Sequence, residues 1–269
     1  MKSILLHVND DAGQEARLFA ALAIVRQHGA RLTCIQVTPI SDFVVTDPFG
    51  GMYEFKTLFE TLAQQAEEAR TRIEARFAVE GVDWEWSTHN GNVAGTIVPR
   101  SQLSDLIVLS QADSAGGVGS HPVSLVADVT VHARTPVLAV PIAESAFDPS
   151  GVAVIAWNGS PEAAHAVRAA LPMLKMAAGV QIVSFDEDMK FPLDDVRRYL
   201  NAHGVEAVTT EHRLDGKTVG EAISIAAEAQ KACYIVMGAY GHSRFREAVL
   251  GGVSRHMLTH STLPLLLAH

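Results

Sequence analysis

Short apolar runs alternate with amphipathic stretches along the chain, and the second half illustrates the pattern. Five strand-like segments predict β-strands: Val152–Trp157, Val180–Phe185, Glu206–His212, Cys233–Gly238 and Pro264–Ala268. The segments between them, with apolar residues three or four positions apart, predict helices: Pro161–Met176, Leu193–His203, Thr218–Glu228 and Gly252–His260. Continuously apolar strands that alternate with helices indicate a parallel sheet covered on both faces.

The first half repeats this plan. With an offset of 128 residues, the segment from Val108 aligns with the segment from Val236 without a gap, and with an offset of 149, Asn9 aligns with Asn158. The two offsets differ by 21 residues, so the first half contains 21 residues more than the second. These extra residues fall within residues 41–80, which contain a loop and a helix with one apolar face. That face comprises Phe55, Leu58, Phe59, Leu62, Ala66, Ala69, Ile73 and Phe77.

We therefore predict two tandem α/β domains, residues 1–143 and 149–269, joined by a linker at Ile142–Gly151. Each is expected to be a doubly wound, Rossmann-like fold with a five-stranded parallel sheet. The final strands, Thr135–Val140 and Leu263–Ala268, are apolar and are expected at sheet edges, which invite pairing. The two domains are thus expected to pair as an intramolecular pseudo-dimer, with other surfaces left for a homodimer.

Glycines surround the connection between the fourth strand and the last helix of the second half. The strand ends at Met237-Gly238, Gly241 follows, and after nine residues Gly251-Gly252-Val253-Ser254 opens the helix. Phosphate oxygens must approach backbone N–H groups closely, and a helix start adds unpaired donors and a positive dipole end. The alternative is that these glycines only serve turns. The first half has none of the four, with Ser110, Asp113, Val123 and Ser124 at the aligned positions.

The spacing Gly238-x2-Gly241-x9-Gly251 resembles the phosphate-binding signature of the universal stress protein family, and the strand plan of both halves is similar to that family. The resemblance implies an adenine nucleotide alpha hydrolase-like fold that binds ATP or AMP in stress adaptation rather than metabolic conversion. Two positions depart from the family pattern. Gly252 replaces the Ser or Thr after the third glycine, with Ser254 as a substitute, and Asn158 replaces the acid that ends the first strand.

The resulting candidate nucleotide site combines the end of the first strand of this half with the glycine loop. Its members are Ala156, Trp157, Asn158, Met237, Gly238, Gly241, His242, Arg244, Gly251, Gly252, Val253 and Ser254. Three have an ordinary alternative role: Trp157 as core, and His242 and Arg244 as exposed loop residues. We expect ATP or AMP as the ligand and leave open whether Mg²⁺ accompanies it. No catalytic residue and no resident metal is predicted.

Two other functions compete with nucleotide-dependent regulation. A slow ATP hydrolase would need a general base, and Glu247 is the one carboxylate within the loop. A ligand-free interaction scaffold would be compatible with Gly252 and Asn158. The segment Gly216-Lys217-Thr218 does not complete a P-loop, because that motif needs glycine where Glu211 stands.

Composition narrows the partners and the location. The net charge of −9 disfavours nucleic acid and anionic membranes. Residues 1–145 carry 10 basic and 17 acidic side chains against 11 and 13 in residues 146–269, so the second half is the less unfavourable host for an anion. No apolar run approaches the ~20 residues of a membrane helix. We expect a soluble, cytoplasmic protein whose two cysteines, Cys34 and Cys233, are buried and unpaired.

Overall fold

The computed structural model describes residues 1–38, 52–111, 124–143, 146–185, 191–241 and 252–269. Within residues 52–62, the side chains of 60 and 61 alone are described, and the side chain of Ser124 is not. The part of the predicted loop before Met52 lies outside the described residues, as do the predicted site residues His242, Arg244 and Gly251.

The first half contains five strands and four helices among the described residues. The strands are β1 (Ser3–Val8), β2 (Arg31–Thr38), β3 (Trp84–Asn90), β4 (Leu106–Ser110) and β5 (Val137–Val140). The helices are α1 (Gln14–His28), α2 (Met52–Glu80), α3 (Val93–Arg100) and α4 (Ser124–His132). The long helix α2 buries Ala69, Ile73 and Phe77, three members of its predicted apolar face.

In the second half, all nine predicted elements are present, with bounds within two residues of the prediction. The strands are β6 (Val152–Ala156), β7 (Gly179–Ser184), β8 (Ala207–Glu211), β9 (Tyr234–Gly238) and β10 (Leu265–Ala268). The helices are α5 (Pro161–Leu174), α6 (Leu193–Ala202), α7 (Val219–Ala229) and α8 (Gly252–His260).

Local signals explain where two of these helices begin. The Ser160 side chain accepts a hydrogen bond from the backbone N–H of Ala163, and Pro161 fills the first position of α5, where a missing N–H costs nothing. Thr218 and Glu221 form a reciprocal capping box at the start of α7. The predicted role of Thr218 as a helix cap is confirmed.

The strands form one ten-stranded sheet in the order β3-β2-β1-β4-β5-β10-β9-β6-β7-β8. Pairing is parallel within each half, which confirms the predicted fold class. The halves meet where β5 and β10 pair antiparallel, with Leu138 opposite Leu266. The two sheets therefore continue into each other, with a separate apolar layer on each face.

Cys34, on β2, is fully buried as predicted, whereas Cys233 is only half-buried, and no disulfide joins the two. Among the described helices, none has the combination of length and apolar character that spanning a membrane requires.

Candidate functional site

A cavity of about 460 Å³ opens beyond the carboxyl ends of β6 and β9. The strand that follows β6 along the chain, β7, lies on one side of β6, and β9 lies on the other. This is the point of a doubly wound sheet where consecutive connections diverge and leave a crevice. The cavity thus lies where the sequence predicts the site.

Nine of the twelve predicted residues line this cavity. They are Ala156, Trp157, Asn158, Met237, Gly238, Gly241, Gly252, Val253 and Ser254. Seven lining residues were not predicted: Ser160, Glu162, Phe185, Leu214, Val219, Ile223 and Tyr240. Phe185 directly follows β7, and its ring stacks on His212 with centroids 5.6 Å apart. The rule that ligands bind beyond strand ends could have identified Phe185. Leu214 lies further beyond the end of its strand, and no local pattern in the sequence indicates that it reaches the cavity.

The glycines of the loop serve different purposes. A Cβ atom at Gly238 would lie 2.4 Å from the backbone nitrogen of Ala163 and 2.6 Å from the carbonyl carbon of Glu162. Gly238 is therefore required by the close approach of the first turn of α5. Packing against α5 therefore explains this glycine without any bound phosphate, whereas the sequence suggested that the close approach of a phosphate required it.

Gly241 and Gly252 are not held by backbone contacts. A Cβ at Gly241 would meet the carboxylate of Glu162, with Oε2 at 2.5 Å, and a Cβ at Gly252 would meet no atom within 4 Å among the neighbours described. Gly252 is the first residue of α8. Space beside Gly252 is therefore available to a ligand, whereas the space beside Gly241 is occupied by the flexible side chain of Glu162.

Ser254 holds the strand end in place. Its side chain is almost fully buried, and its hydroxyl oxygen accepts a hydrogen bond from the backbone N–H of Tyr240 at 3.3 Å. Tyr240 has a left-handed φ of 64°, which is uncommon for a residue other than glycine. The hydroxyl hydrogen of Ser254 is not used in this bond and can be donated to a ligand.

Tyr240 is buried against the apolar layer that spans both halves. Burial and, to a smaller extent, the charge of Asp128 raise the pKa of its phenol far above the usual range. The residue therefore acts as a neutral wall of the cavity at physiological pH.

At the end of β6, Asn158 and Trp157 are both oriented by hydrogen bonds. The side-chain oxygen of Asn158 accepts from the backbone N–H of Ser160 at 3.2 Å, so its amide nitrogen is the atom that can donate to a ligand. The indole N–H of Trp157 donates to the carbonyl of Phe191 at 2.9 Å. Trp157 belongs to the core and also lines the cavity, so its two predicted roles are both compatible with the structure.

Glu162, at the start of α5, supplies a carboxylate to the cavity. Its Oε2 atom is buried and has no hydrogen-bond partner within the described part of the chain. No local signal in the sequence singles out Glu162, because an acid in a first helical turn has an ordinary explanation in the helix dipole.

The equivalent place in the first half contains a buried arginine. Arg17 is 1% exposed, and its guanidinium donates to both carboxylate oxygens of Asp11, at 2.9 and 3.1 Å, and to the hydroxyl of Ser110 at 2.6 Å. Its remaining acceptors are the backbone carbonyls of His7 and Asn9 and the side chain of Gln14.

This polar network lies at the carboxyl ends of β1 and β4, the counterparts of β6 and β9. Ser110 aligns with Gly238, and Arg17 aligns with Ala166. Burial, followed by the charge of Arg17, lowers the pKa of His7 to about 3, against an opposing effect of Asp11, so the imidazole is neutral. The first half thus places an ion pair of its own at these strand ends.

Comparison with known proteins agrees with this architecture. The model of the Universal stress protein family matches residues 187–269. A universal stress protein from Archaeoglobus fulgidus DSM 4304 has the same fold over 99% of this chain and 96% of its own, with 18% identity and a TM-score of 0.77. A putative universal stress protein from Pseudomonas aeruginosa UCBPP-PA14 covers 100% and 93%, with 16% identity and a TM-score of 0.60.

A universal stress protein solved in complex with cAMP is similar to a part of the chain, with 17% identity over 53% of this chain and 98% of its own and a TM-score of 0.36. No curated protein sequence matches the chain. The predicted resemblance is confirmed: the family model matches the end of the chain, and the fold of solved universal stress proteins extends over its whole length.

Proposed function

We propose that this chain, which carries a universal stress protein match at residues 187–269 and the fold of that family throughout, is a cytoplasmic stress-response protein that binds ATP or AMP. The observation that carries the proposal is the cavity at the ends of β6 and β9, bordered by Gly241 and by the start of α8. Backbone N–H groups at a helix start favour phosphate, and the open space beside Gly252 allows it to approach.

The remaining walls suit a nucleoside. Phe185, Leu214, Val219 and Ile223 give the cavity an apolar surface on which a base can pack. Asn158 offers an amide hydrogen for a ribose or base oxygen. The combination of apolar walls with a glycine-lined helix start supports an adenine nucleotide better than it supports an inorganic anion.

We propose that binding is confined to the second domain, residues 149–269, and that the first, residues 1–143, is a regulatory partner. Ser110 replaces Gly238, and Arg17 already occupies the ends of β1 and β4. The β5–β10 pairing supports an intramolecular pseudo-dimer of the two domains.

The direct test is to denature the purified protein, identify any nucleotide it releases, and titrate ATP, AMP and adenosine into the ligand-free full chain by calorimetry. We expect one saturable site per chain. Release of ADP from bound ATP over time would favour the hydrolase alternative, and the absence of binding by all three compounds would favour the scaffold.

Ser254→Ala is expected to weaken ATP binding by roughly 1–3 kcal/mol, the range for a hydrogen bond to a charged group. The hydroxyl of Ser254 can donate to a phosphate while it accepts from Tyr240. Calorimetry should show this loss for ATP and an unchanged affinity for adenosine, which has no phosphate. An equal loss for both compounds would show that Ser254 only supports the backbone at Tyr240.

A further inference from the structure

The carboxylate of Glu162 is placed directly against the glycine loop. The position that a Cβ would take at Gly241 lies 2.5 Å from Oε2 and 2.7 Å from Cδ of Glu162. The chain therefore places a negative charge beside the glycine at which the proposed function expects a phosphate. Gly13 stands at the corresponding position of the first half, so the fold itself does not demand an acid there.

Among the described residues, no cation pairs with Glu162 as Arg17 pairs with the carboxylate of the first half. Asp11 is neutralised by the guanidinium of Arg17. For the buried Oε2 of Glu162, the described residues provide neither a hydrogen bond nor an ion pair. An unpartnered buried carboxylate oxygen is costly, and a cation would remove that cost.

Phosphate and carboxylate can share this space if a divalent cation lies between them. Mg²⁺ is commonly held by one or two protein carboxylates together with the phosphates of its nucleotide, rather than by a complete protein cage. Among the described residues there is no group of three or more His, Cys, Asp or Glu side chains that could hold a metal on its own. A cation at Glu162 would therefore arrive with the nucleotide.

We propose that Glu162 is a cation ligand that makes this cavity select the Mg²⁺ complex of a nucleoside polyphosphate over the free anion. The inference rests on the proposed function and refines it, since it assigns the form of nucleotide that binds. ATP satisfies this requirement better than AMP, because a polyphosphate carries Mg²⁺ more firmly than a monophosphate does. Adenosine should bind independently of Mg²⁺.

The test is calorimetry of the full chain with ATP, in EDTA and in excess Mg²⁺, for the wild type and for Glu162→Gln. We expect Mg²⁺ to tighten ATP binding to the wild type at least ~10-fold, the factor equivalent to about 1.4 kcal/mol. For Glu162→Gln, the Mg²⁺ dependence should fall below about 3-fold, and binding in EDTA should be at least as tight as for the wild type, because the repulsion is gone. Glu228→Gln, at an exposed site on α7, is the matched control and should retain the wild-type Mg²⁺ dependence.

Three results would overturn the inference, and they differ in what they imply. If the wild type binds ATP equally with and without Mg²⁺, the role of Glu162 is wrong and the proposed function stands. If Glu162→Gln keeps the full Mg²⁺ dependence, the cation is held elsewhere and the same conclusion applies. If the wild type binds neither ATP nor AMP in either buffer, the proposed function fails and the inference fails with it.

Discussion

Gly241→Val is expected to reduce ATP affinity at least ~100-fold, which corresponds to about 2.7 kcal/mol, and to leave the fold intact. The backbone of Gly241 lies outside the left-handed region, and an added Cβ would meet the tip of the flexible Glu162 side chain rather than backbone. The valine side chain would then displace that carboxylate, and the two side chains together would exclude the phosphate proposed to bind there. Calorimetry with ATP measures the loss, and near-ultraviolet circular dichroism with urea unfolding checks the fold.

Gly179→Val is the matched control for this substitution. Gly179 is the first residue of β7 and so lies at the amino end of the sheet, away from the cavity. A Cβ there would make an ordinary contact with the side chain of Val152 at 3.7 Å. ATP affinity should be unchanged in this variant. If a correctly folded Gly241→Val protein bound ATP with wild-type affinity, the proposal that the loop binds phosphate would be wrong. Gly238 is unsuitable for the test, because substitution there would collide with the backbone of α5.

The elements could be predicted because their signals are local. Ser160-Pro161 and the pair Thr218 and Glu221 mark helix starts through contacts within one turn, and the structure contains both caps. Apolar runs such as Tyr234–Gly238 mark buried parallel strands without reference to the rest of the chain. The location of the cavity followed from the strand order that such a fold adopts.

What the sequence did not yield depends on contacts between distant segments. Glu162 faces Gly241, which is 79 residues away in the sequence. The spacing of the glycines carries no information about which residue of α5 lies against them. The reason for Gly238, likewise, is the approach of Ala163. Arg17 was overlooked because an arginine near the start of a helix resembles a surface residue. Its burial depends on contacts with Asp11 and with Ser110, which lies 93 residues away in the sequence.

The two halves thus use the same strand ends in different ways. In the second half, Gly238 allows α5 to approach β9, and the space beyond is left as a cavity. In the first half, Gly13 makes room for the hydroxyl of Ser110, which then accepts from Arg17. We therefore expect substitutions in the Arg17 network to change stability and to leave ATP affinity unchanged.

Asp11→Asn is expected to lower the free energy of unfolding by about 3 kcal/mol. The guanidinium of Arg17 is almost fully buried, with its side chain 2% exposed, and Asp11 is the partner that neutralises it. Breaking a buried ion pair from one side typically costs about 3–5 kcal/mol, and we take the lower end because the Asp11 side chain is 38% exposed. Urea unfolding measures the change.

Asp10→Asn is the matched control for Asp11→Asn. Asp10 pairs with Arg72 at 3.0 Å, but both side chains are more than half exposed, so its loss should cost at most about 1 kcal/mol. The double variant Asp11→Asn, Arg17→Met should be less destabilised than the sum of the two single variants, because it removes the buried charge together with its partner. Equal stabilities of Asp11→Asn and Asp10→Asn would contradict this prediction and show that the Arg17 charge is neutralised by other means.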